Sequence, residues 1–158
     1  MNNIMIKISH RGNLNGPSKS QENKPKQITK VIEKGYDCEI DVWYINGELI
    51  LAHSLKEDIN YKVNDNFLKQ KGLWCHAKNL DALNYLSNLN VNFFWHEDDE
   101  ITITSKNWLW CHPNINNNFK IDNSIICLPE IKKKNINLFT GFCSDYIENF
   151  SMKFKECI

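Results

Sequence analysis

The order of predicted elements in the first half of the chain constrains the fold more than any other feature. A short apolar run at 4–8 is followed by a helix pattern over 24–34 and a strand pattern over 36–42. A strand pattern at 73–78 and a helix pattern at 80–89 repeat this alternation. Strands that are connected through helices run parallel in their sheet. The first half therefore predicts a parallel α/β arrangement.

Turn residues and short apolar runs predict the remaining strands. Asn46-Gly47 lies between two apolar runs, and this dipeptide is typical of a tight hairpin turn. The later strand patterns are short and have little sign of helix between them. They lie at 91–96, 101–104, 108–112, 124–128 and 140–146. The second half is therefore poor in helices for an α/β protein.

Size, charge and composition exclude several classes of protein. The chain has 158 residues, and we expect a single domain over 1–158. Lys and Arg number 19 and Asp and Glu number 19, which argues against a nucleic-acid-binding protein. No run approaches the roughly 18 apolar residues of a membrane span. The first five residues have no signal-peptide pattern, so we expect a cytoplasmic protein.

The cysteines lie mostly within apolar, strand-like runs, and none forms a C-x-x-C pair. We expect free thiols that pack as small hydrophobic side chains. The tripeptide Trp-Cys-His occurs at 74–76 and again at 110–112, which raises the alternative of a zinc site. Neighbouring strand residues point to opposite faces, however, so at most one residue of each Cys-His pair could reach a common site.

Polar side chains collect at the ends of the predicted strands. Glu39 and Asp41 are two residues apart on one strand, so both point to the same face. Two carboxylates in a buried strand repel each other, and a divalent metal with oxygen ligands relieves that repulsion. His10-Arg11-Gly12 ends the first strand, and His53 ends the hairpin strand. Parallel α/β folds bind ligands at the carboxyl ends of their strands, so we expect a site there.

The order of these motifs resembles the glycerophosphodiester phosphodiesterases, which belong to the phosphatidylinositol-phospholipase-C-like TIM-barrel group. The matching segments cover about a third of the chain and comprise 8–12, 22–23, 35–42 and 47–53. Lys78 also fits the lysine of the next strand motif, and 143–146 is similar to the motif on the last barrel strand. The resemblance implies a compact TIM-like (β/α) barrel, whole but shortened, with reduced or missing helices in the second half.

The resemblance also implies a role for each matching residue. His10 and His53 match the general acid and base, and Arg11 and Lys78 match the phosphate contacts. The metal site is matched by Glu39, Asp41 and Glu22. The residue types suit the reaction, because an anionic phosphodiester resists attack until a metal and basic side chains offset its charge. One histidine can accept the nucleophile's proton while the other protonates the leaving alkoxide.

The sequence departs from the family pattern at two positions. His76 stands where the family usually has a glutamate as third metal ligand. An imidazole ligand admits Mn²⁺ or Zn²⁺ beside the Mg²⁺ or Ca²⁺ that the resemblance implies. Ser54 follows His53 where the family usually has Asp. We also expect His96 and Asp145 to reach the pocket.

These patterns predict a metal-dependent hydrolase of a glycerophosphodiester or a related small phosphodiester. Two alternatives remain open. The same fold could act on a lysophospholipid or a glycan-linked phosphodiester, or it could bind a phosphorylated ligand without cleaving it. The pair His10 and His53 favours catalysis, because phosphate binding alone needs Arg and Lys more than histidines. The loss of a glutamate at His76 favours the binding module.

Tryptophans are numerous for a chain with so few predicted helices. Those at issue are Trp74, Trp95, Trp108 and Trp110. Strands without covering helices expose apolar faces, and aromatic residues are favoured in protein interfaces. We therefore expect that some of these tryptophans form a homodimer interface, with a place in the core as the alternative for each.

Overall fold

A strongly curled sheet dominates the computed structural model, which describes residues 4–56 and 60–158. Within these residues the strands are β1 Ile6–His10, β2 Asp37–Ile45, β3 Glu48–Leu51, β4 Tyr61–Val63, β5 Leu73–Ala77, β6 Phe93–Phe94, β7 Ile101–Ile103, β8 Leu109–Cys111, β9 Ser124–Cys127 and β10 Gly141–Ser144. The α-helices in the same ranges are α1 Pro25–Glu33, α2 Asp65–Leu68, α3 Leu80–Ser87, α4 Pro129–Lys132 and α5 Phe150–Lys153. Short 3₁₀ helices span Ile136–Leu138 and Lys155–Cys157.

The strands of the described ranges form a mixed sheet around a parallel centre. The parallel strands follow the order β6-β5-β2-β1-β10-β9-β8. The Asn46-Gly47 turn returns the chain from β2 to an antiparallel β3, and β4 and β7 are also antiparallel to their neighbours. In the parallel register, His10 is opposite Glu39 and Asp41 is opposite His76. The carboxyl ends of β1, β2 and β5 therefore lie level with one another.

The predicted TIM-like (β/α) barrel is wrong. A TIM barrel alternates eight strands with eight helices, whereas this sheet is a curled half-barrel and few helices accompany its described strands. Helices α1 and α3, of nine and eight residues, follow β1 and β5 as the alternation predicts. Between β8 and β10, loop residues and a 3₁₀ helix cover the outer face instead, and Ile115, Ile136 and Phe139 are buried there. These apolar side chains replace the missing helices.

The individual elements agree with the sequence patterns even though their assembly does not. Each strand and helix predicted from periodicity occurs within a few residues of its expected position; the helix expected over 24–34, for example, spans Pro25–Glu33. The short elements β4, α2, α4 and α5 were not predicted. Their three or four residues are too few to show a period of 2 or 3.6.

The inner face of the curled sheet is apolar at one end and polar at the other. Ile8 and His10 on β1, like Trp74 and His76 on β5, share this face because they are two residues apart. Trp74 contacts Trp110 on β8, with ring centroids 5.8 Å apart, although four strands separate β5 from β8. The curl therefore closes an apolar cluster below the strand ends, and the polar residues lie directly beyond it.

Most of the cysteines, and two of the tryptophans expected at an interface, are buried in the fold. Trp74 and Trp110 are buried in this inner cluster, so they are not available to a dimer surface. All six cysteines are free thiols. Cys75 and Cys111 pack in the outer clusters, on the opposite side of the sheet from His76, which leaves zinc binding through Cys75 without a geometric basis. The homodimer stays a prediction.

Two further expectations concern membrane spans and cellular location. In residues 4–56 and 60–158, no helix has the length and apolar character that crossing a membrane requires. The N-terminal pattern behind the expected cytoplasmic location begins with residues 1–3, which lie outside the described residues.

Candidate functional site

A cavity of about 440 Å³ opens where the parallel strands end. Most of the residues that the sequence singled out line it, namely His10, Arg11, Glu39, His53, His76, Lys78 and His96. Apolar side chains form the opposite wall, namely Phe94, Trp110, Pro113, Leu128 and Ile131. The fold thus brings residues from seven separate segments of the chain to one site.

Two carboxylates and an imidazole meet at the base of this cavity, where Glu39 and His76 line it. Glu39 and Asp41 lie on β2, the central strand of the region, and both are buried. His76 faces them from β5, with its Nδ1 3.3 Å from Asp41 Oδ1 and 3.8 Å from Glu39 Oε1. One ligand atom from each of the three residues lies within 4.8 Å of the others. This group could hold a metal ion, and we call it the triad.

The donor set of the triad fits a divalent cation. Asp41 Oδ1 is buried and has no well-directed hydrogen bond among the described residues. A buried carboxylate oxygen normally accepts a hydrogen bond, whereas Oδ1 has only His76 Nδ1 at 3.3 Å and Lys78 Nζ at 3.6 Å beside it, so it is in a position to bind a cation. Oxygen donors suit Mg²⁺, and a mixed oxygen and imidazole set suits Mn²⁺ or Zn²⁺.

Cationic side chains surround Asp41 more closely than Glu39. Arg11 Nε lies 3.0 Å from Asp41 Oδ2, and Lys78 Nζ lies 3.6 Å from Asp41 Oδ1. Burial alone would raise the pKa of Asp41, but the imidazoles of His53 and His76 and the charge of Arg11 hold that pKa well below its usual range. Burial and the charge of Asp41 raise the pKa of Glu39. Asp41 is therefore the carboxylate that stays ionised most readily.

The backbone around Arg11 adopts a left-handed conformation that supports the triad. Arg11 has a φ of 55°, and its amide donates to Glu39 Oε2 at 3.2 Å. Asn23, which is also left-handed, donates from Nδ2 to Asp41 Oδ2 at 3.0 Å and accepts from the Asp41 amide at 2.9 Å. Asparagine tolerates this conformation better than most residues, which explains its position here. Asn23 thereby fixes the orientation of the Asp41 carboxylate.

His10 is held by a carboxylate on its far side. Its Nδ1 lies 2.7 Å from Asp145 Oδ1, and its Nε2 lies 3.9 Å from Glu39 Oε2. Burial lowers the pKa of His10, but the hydrogen bond to Asp145 and the charge of Glu39 outweigh burial and raise this pKa to about 9. His10 is therefore an imidazolium at neutral pH. Asp145, which we expected in the pocket, lies behind His10 and contacts it.

Asn13 is a buried residue that the sequence did not indicate. Its Nδ2 donates to Asp145 Oδ1 at 2.8 Å and to Glu22 Oε1 at 2.9 Å. Glu22 Oε2 in turn lies 3.5 Å from Arg11 Nη1. The structure therefore places Glu22 against Arg11 and Asn13 rather than in the triad. The only available signal for Asn13 is its position directly after His10-Arg11-Gly12.

His53 and Lys78 stand at opposite ends of Asp41. His53 Nδ1 lies 3.6 Å from Asp41 Oδ2, and its side chain is 42% exposed. Lys78 directly follows β5, and its amide donates to the carbonyl of Val42 at 2.8 Å. His10 is beside Glu39 and His53 is beside Asp41, so the two histidines flank the carboxylate pair from different sides.

Stacked rings connect the polar floor with the apolar wall. His96 stacks on His76 with ring centroids 4.4 Å apart, and His76 stacks on Phe94 at 5.1 Å. Phe94 stacks on Trp110 at 4.5 Å. Burial, with the neighbouring His76, lowers the pKa of His96. His96 lines the cavity as expected, next to the triad.

No protein-family model, curated protein or solved structure matches this chain.

Proposed function

We propose that this chain is a metal-dependent phosphodiesterase that hydrolyses a glycerophosphodiester or a related small phosphodiester. The supporting observation is that one cavity is lined by two histidines, Arg11, Lys78 and two members of the triad, Glu39 and His76, and that Asp41 completes the triad beside them. The motif order that resembles the glycerophosphodiester phosphodiesterases supports the same proposal independently.

The triad and the basic side chains offset the negative charge of the substrate. Glu39, Asp41 and His76 would hold a divalent cation, which when bound polarises a phosphoryl oxygen. Mg²⁺ or Ca²⁺ is the ion that the resemblance implies, and the imidazole of His76 favours Mn²⁺ or Zn²⁺. Arg11 and Lys78 bind the phosphoryl oxygens, and Asp41 beside them keeps both side chains at the cavity floor.

His10 acts as the general acid in this proposal, and His53 acts as the general base. A water oxygen attacks phosphorus while His53, the more exposed histidine, accepts the water proton. The ester P–O bond breaks, and His10 donates its proton to the departing alkoxide. Asp145 holds His10 in the protonated form that an acid needs. The products are a phosphomonoester and a free alcohol.

The test is turnover of a phosphodiester panel with each of Mg²⁺, Mn²⁺, Ca²⁺ and Zn²⁺, and with chelator. Glycerol 3-phosphate release should require a metal. It should fall about 10²–10⁴-fold in His10→Gln and in His53→Gln, since each proton transfer is worth that much. Metal affinity and circular dichroism should be unchanged in both variants. Lys62→Gln, at an exposed ion pair outside the cavity, serves as the control.

Two outcomes would contradict the proposal. An unchanged rate in either histidine variant would remove that histidine from the mechanism. Absence of turnover for every diester, combined with binding of glycerol 3-phosphate that Arg11→Gln abolishes, would favour the phosphate-binding module. This second function is retained as a candidate because His76 stands where the family that the sequence resembles has a carboxylate ligand.

A further inference from the structure

We propose that the alcohol part of the substrate carries a second acidic group and that Lys132 binds it. The inference rests on the proposed phosphodiesterase function and extends it to the class of leaving group. It comes from the distribution of charge between the two walls of the cavity.

The cations on the floor of the cavity already have carboxylate partners. Arg11 pairs with Asp41 and Glu22, and Lys78 pairs with Asp41. His10 pairs with Asp145. One phosphodiester brings a single negative charge, which the bound cation and these side chains can accommodate. The floor therefore needs no second anion.

Lys132 lies on the other wall, at the end of α4, and it also lines the cavity. In residues 4–56 and 60–158, no carboxylate forms an ion pair with the exposed Lys132, unlike Lys78 on the cavity floor. Apart from Glu39 of the triad, the described lining residues include no acidic side chain. The fixed charge of this wall is therefore positive.

The anchoring of α4 fixes the backbone from which the exposed Lys132 side chain reaches the cavity. Glu130, on the same helix, accepts hydrogen bonds from Ser144 Oγ at 2.8 Å and from the Asp145 amide at 3.3 Å. Asp145 is the residue that holds His10. Helix α4 is thus tied through the half-buried Glu130 carboxylate to the strand end that positions the proposed acid.

A cationic alcohol such as choline is a poor fit for this wall. Choline sites use a carboxylate or the open faces of aromatic rings. Phe94 and Trp110 stack on each other at 4.5 Å and are only 2% and 4% exposed, so they offer no open aromatic cage. A positive head group would instead meet Lys132 and repulsion. A carboxylate or a second phosphate would meet attraction.

The experiment compares diesters of glycerol 3-phosphate that differ only in the alcohol. The alcohols are choline, ethylene glycol, glycolate and ethylene glycol monophosphate, so the last two distinguish a carboxylate from a phosphate. We expect the highest kcat/KM with one of the two acidic alcohols and the lowest with choline. Lys132→Gln should lower kcat/KM about three- to tenfold for the acidic diesters and leave ethylene glycol unchanged. Lys133→Gln, at the next exposed residue outside the cavity lining, is the matched control.

Three results would overturn the inference: a preference for choline, an equal effect of Lys132→Gln on all four diesters, or an equal effect of Lys133→Gln. Calorimetric binding of the four diesters to His10→Gln, with and without Lys132→Gln, separates this inference from the proposed function. If the acidic diesters bind in a Lys132-dependent way but the wild-type protein does not turn them over, the phosphodiesterase proposal would be rejected. The proposal of an acidic ligand would then still stand. Binding independent of Lys132 would reject the acidic ligand.

Discussion

Asn13 shows how a single amide can connect the two halves of a site. One Nδ2 atom donates to Asp145, which holds His10, and to Glu22, which contacts Arg11. An amide has two N–H donors and no charge, so it can bring two carboxylates together without adding a proton or a cation. Asn13 is therefore a positioning residue for the proposed acid and for a proposed phosphate contact.

We expect Asn13→Ala to reduce kcat about tenfold through loss of His10 alignment, with a smaller change in KM. The free energy of unfolding should fall by about 1–3 kcal/mol, because two half-buried carboxylate oxygens each lose the hydrogen bond from Asn13. Steady-state kinetics and denaturant titration measure the two effects. Asn15→Ala, which removes an exposed hydrogen bond to Glu148, is the control and should change neither. An unaltered kcat in Asn13→Ala would show that Asn13 has only a structural role.

The charged residues of the site were more predictable than the amides. A period of two placed Glu39 beside Asp41, and strand ends placed His10 and Lys78 at the same edge. Asn13 could not be distinguished from the many other asparagines of this chain, and Asn23 was recognised only as part of segment 22–23, without a role. Their function depends on partners that are distant in sequence, as in the 132-residue separation of Asn13 and Asp145.

Among the elements, β10 packs against β1 so closely that one position must be glycine. A Cβ on Gly141 would lie 2.6 Å from the Ile6 carbonyl oxygen and 2.8 Å from Ile125 Cδ1. The backbone oxygen cannot move without breaking the parallel pairing of β1 with β10. This pairing also sets the distance between His10 and Asp145, which follow at the ends of the two strands.

We expect Gly141→Ala to destabilise the fold by about 1–3 kcal/mol, the usual cost of overpacking a tight interior. The midpoint of urea denaturation measures this change. Gly35→Asn is the comparison, because the space around Gly35 is open and asparagine tolerates its φ of +85°. If the Gly141→Ala protein were no less stable than the Gly35→Asn protein, the close approach of β1 and β10 would not be what requires glycine at position 141.

For the whole molecule, the sequence patterns predicted parallel strands but not the shape of their assembly. Loop residues such as Ile115 and Phe139 cover the outer face of the second half, and loop positions have no periodicity that would reveal this. Near the opposite edge, the Ser105 amide donates to the Phe93 carbonyl at 2.8 Å, so a turn rather than a strand ladder contacts β6. A curled half-barrel therefore holds the strand ends together without a ring of helices.

The curl has a functional consequence at this scale, because it brings β5 and β8 close enough for Trp74 and Trp110 to contact each other. The apolar cluster below the cavity excludes water from one side of Glu39 and Asp41. Two buried carboxylates in such surroundings need a cation more than exposed ones do. Binding of a divalent metal by Glu39, Asp41 and His76 is accordingly the central claim of the proposed function.

Isothermal titration of Mn²⁺ into metal-free protein tests this claim most directly. Wild-type protein should bind one equivalent, and Asp41→Asn and His76→Ala should each weaken binding about tenfold or more. Glu48→Gln, which alters an exposed carboxylate on β3, should bind as the wild type does. Absence of binding at millimolar Mn²⁺, or equal affinity in wild type and Asp41→Asn, would contradict the account.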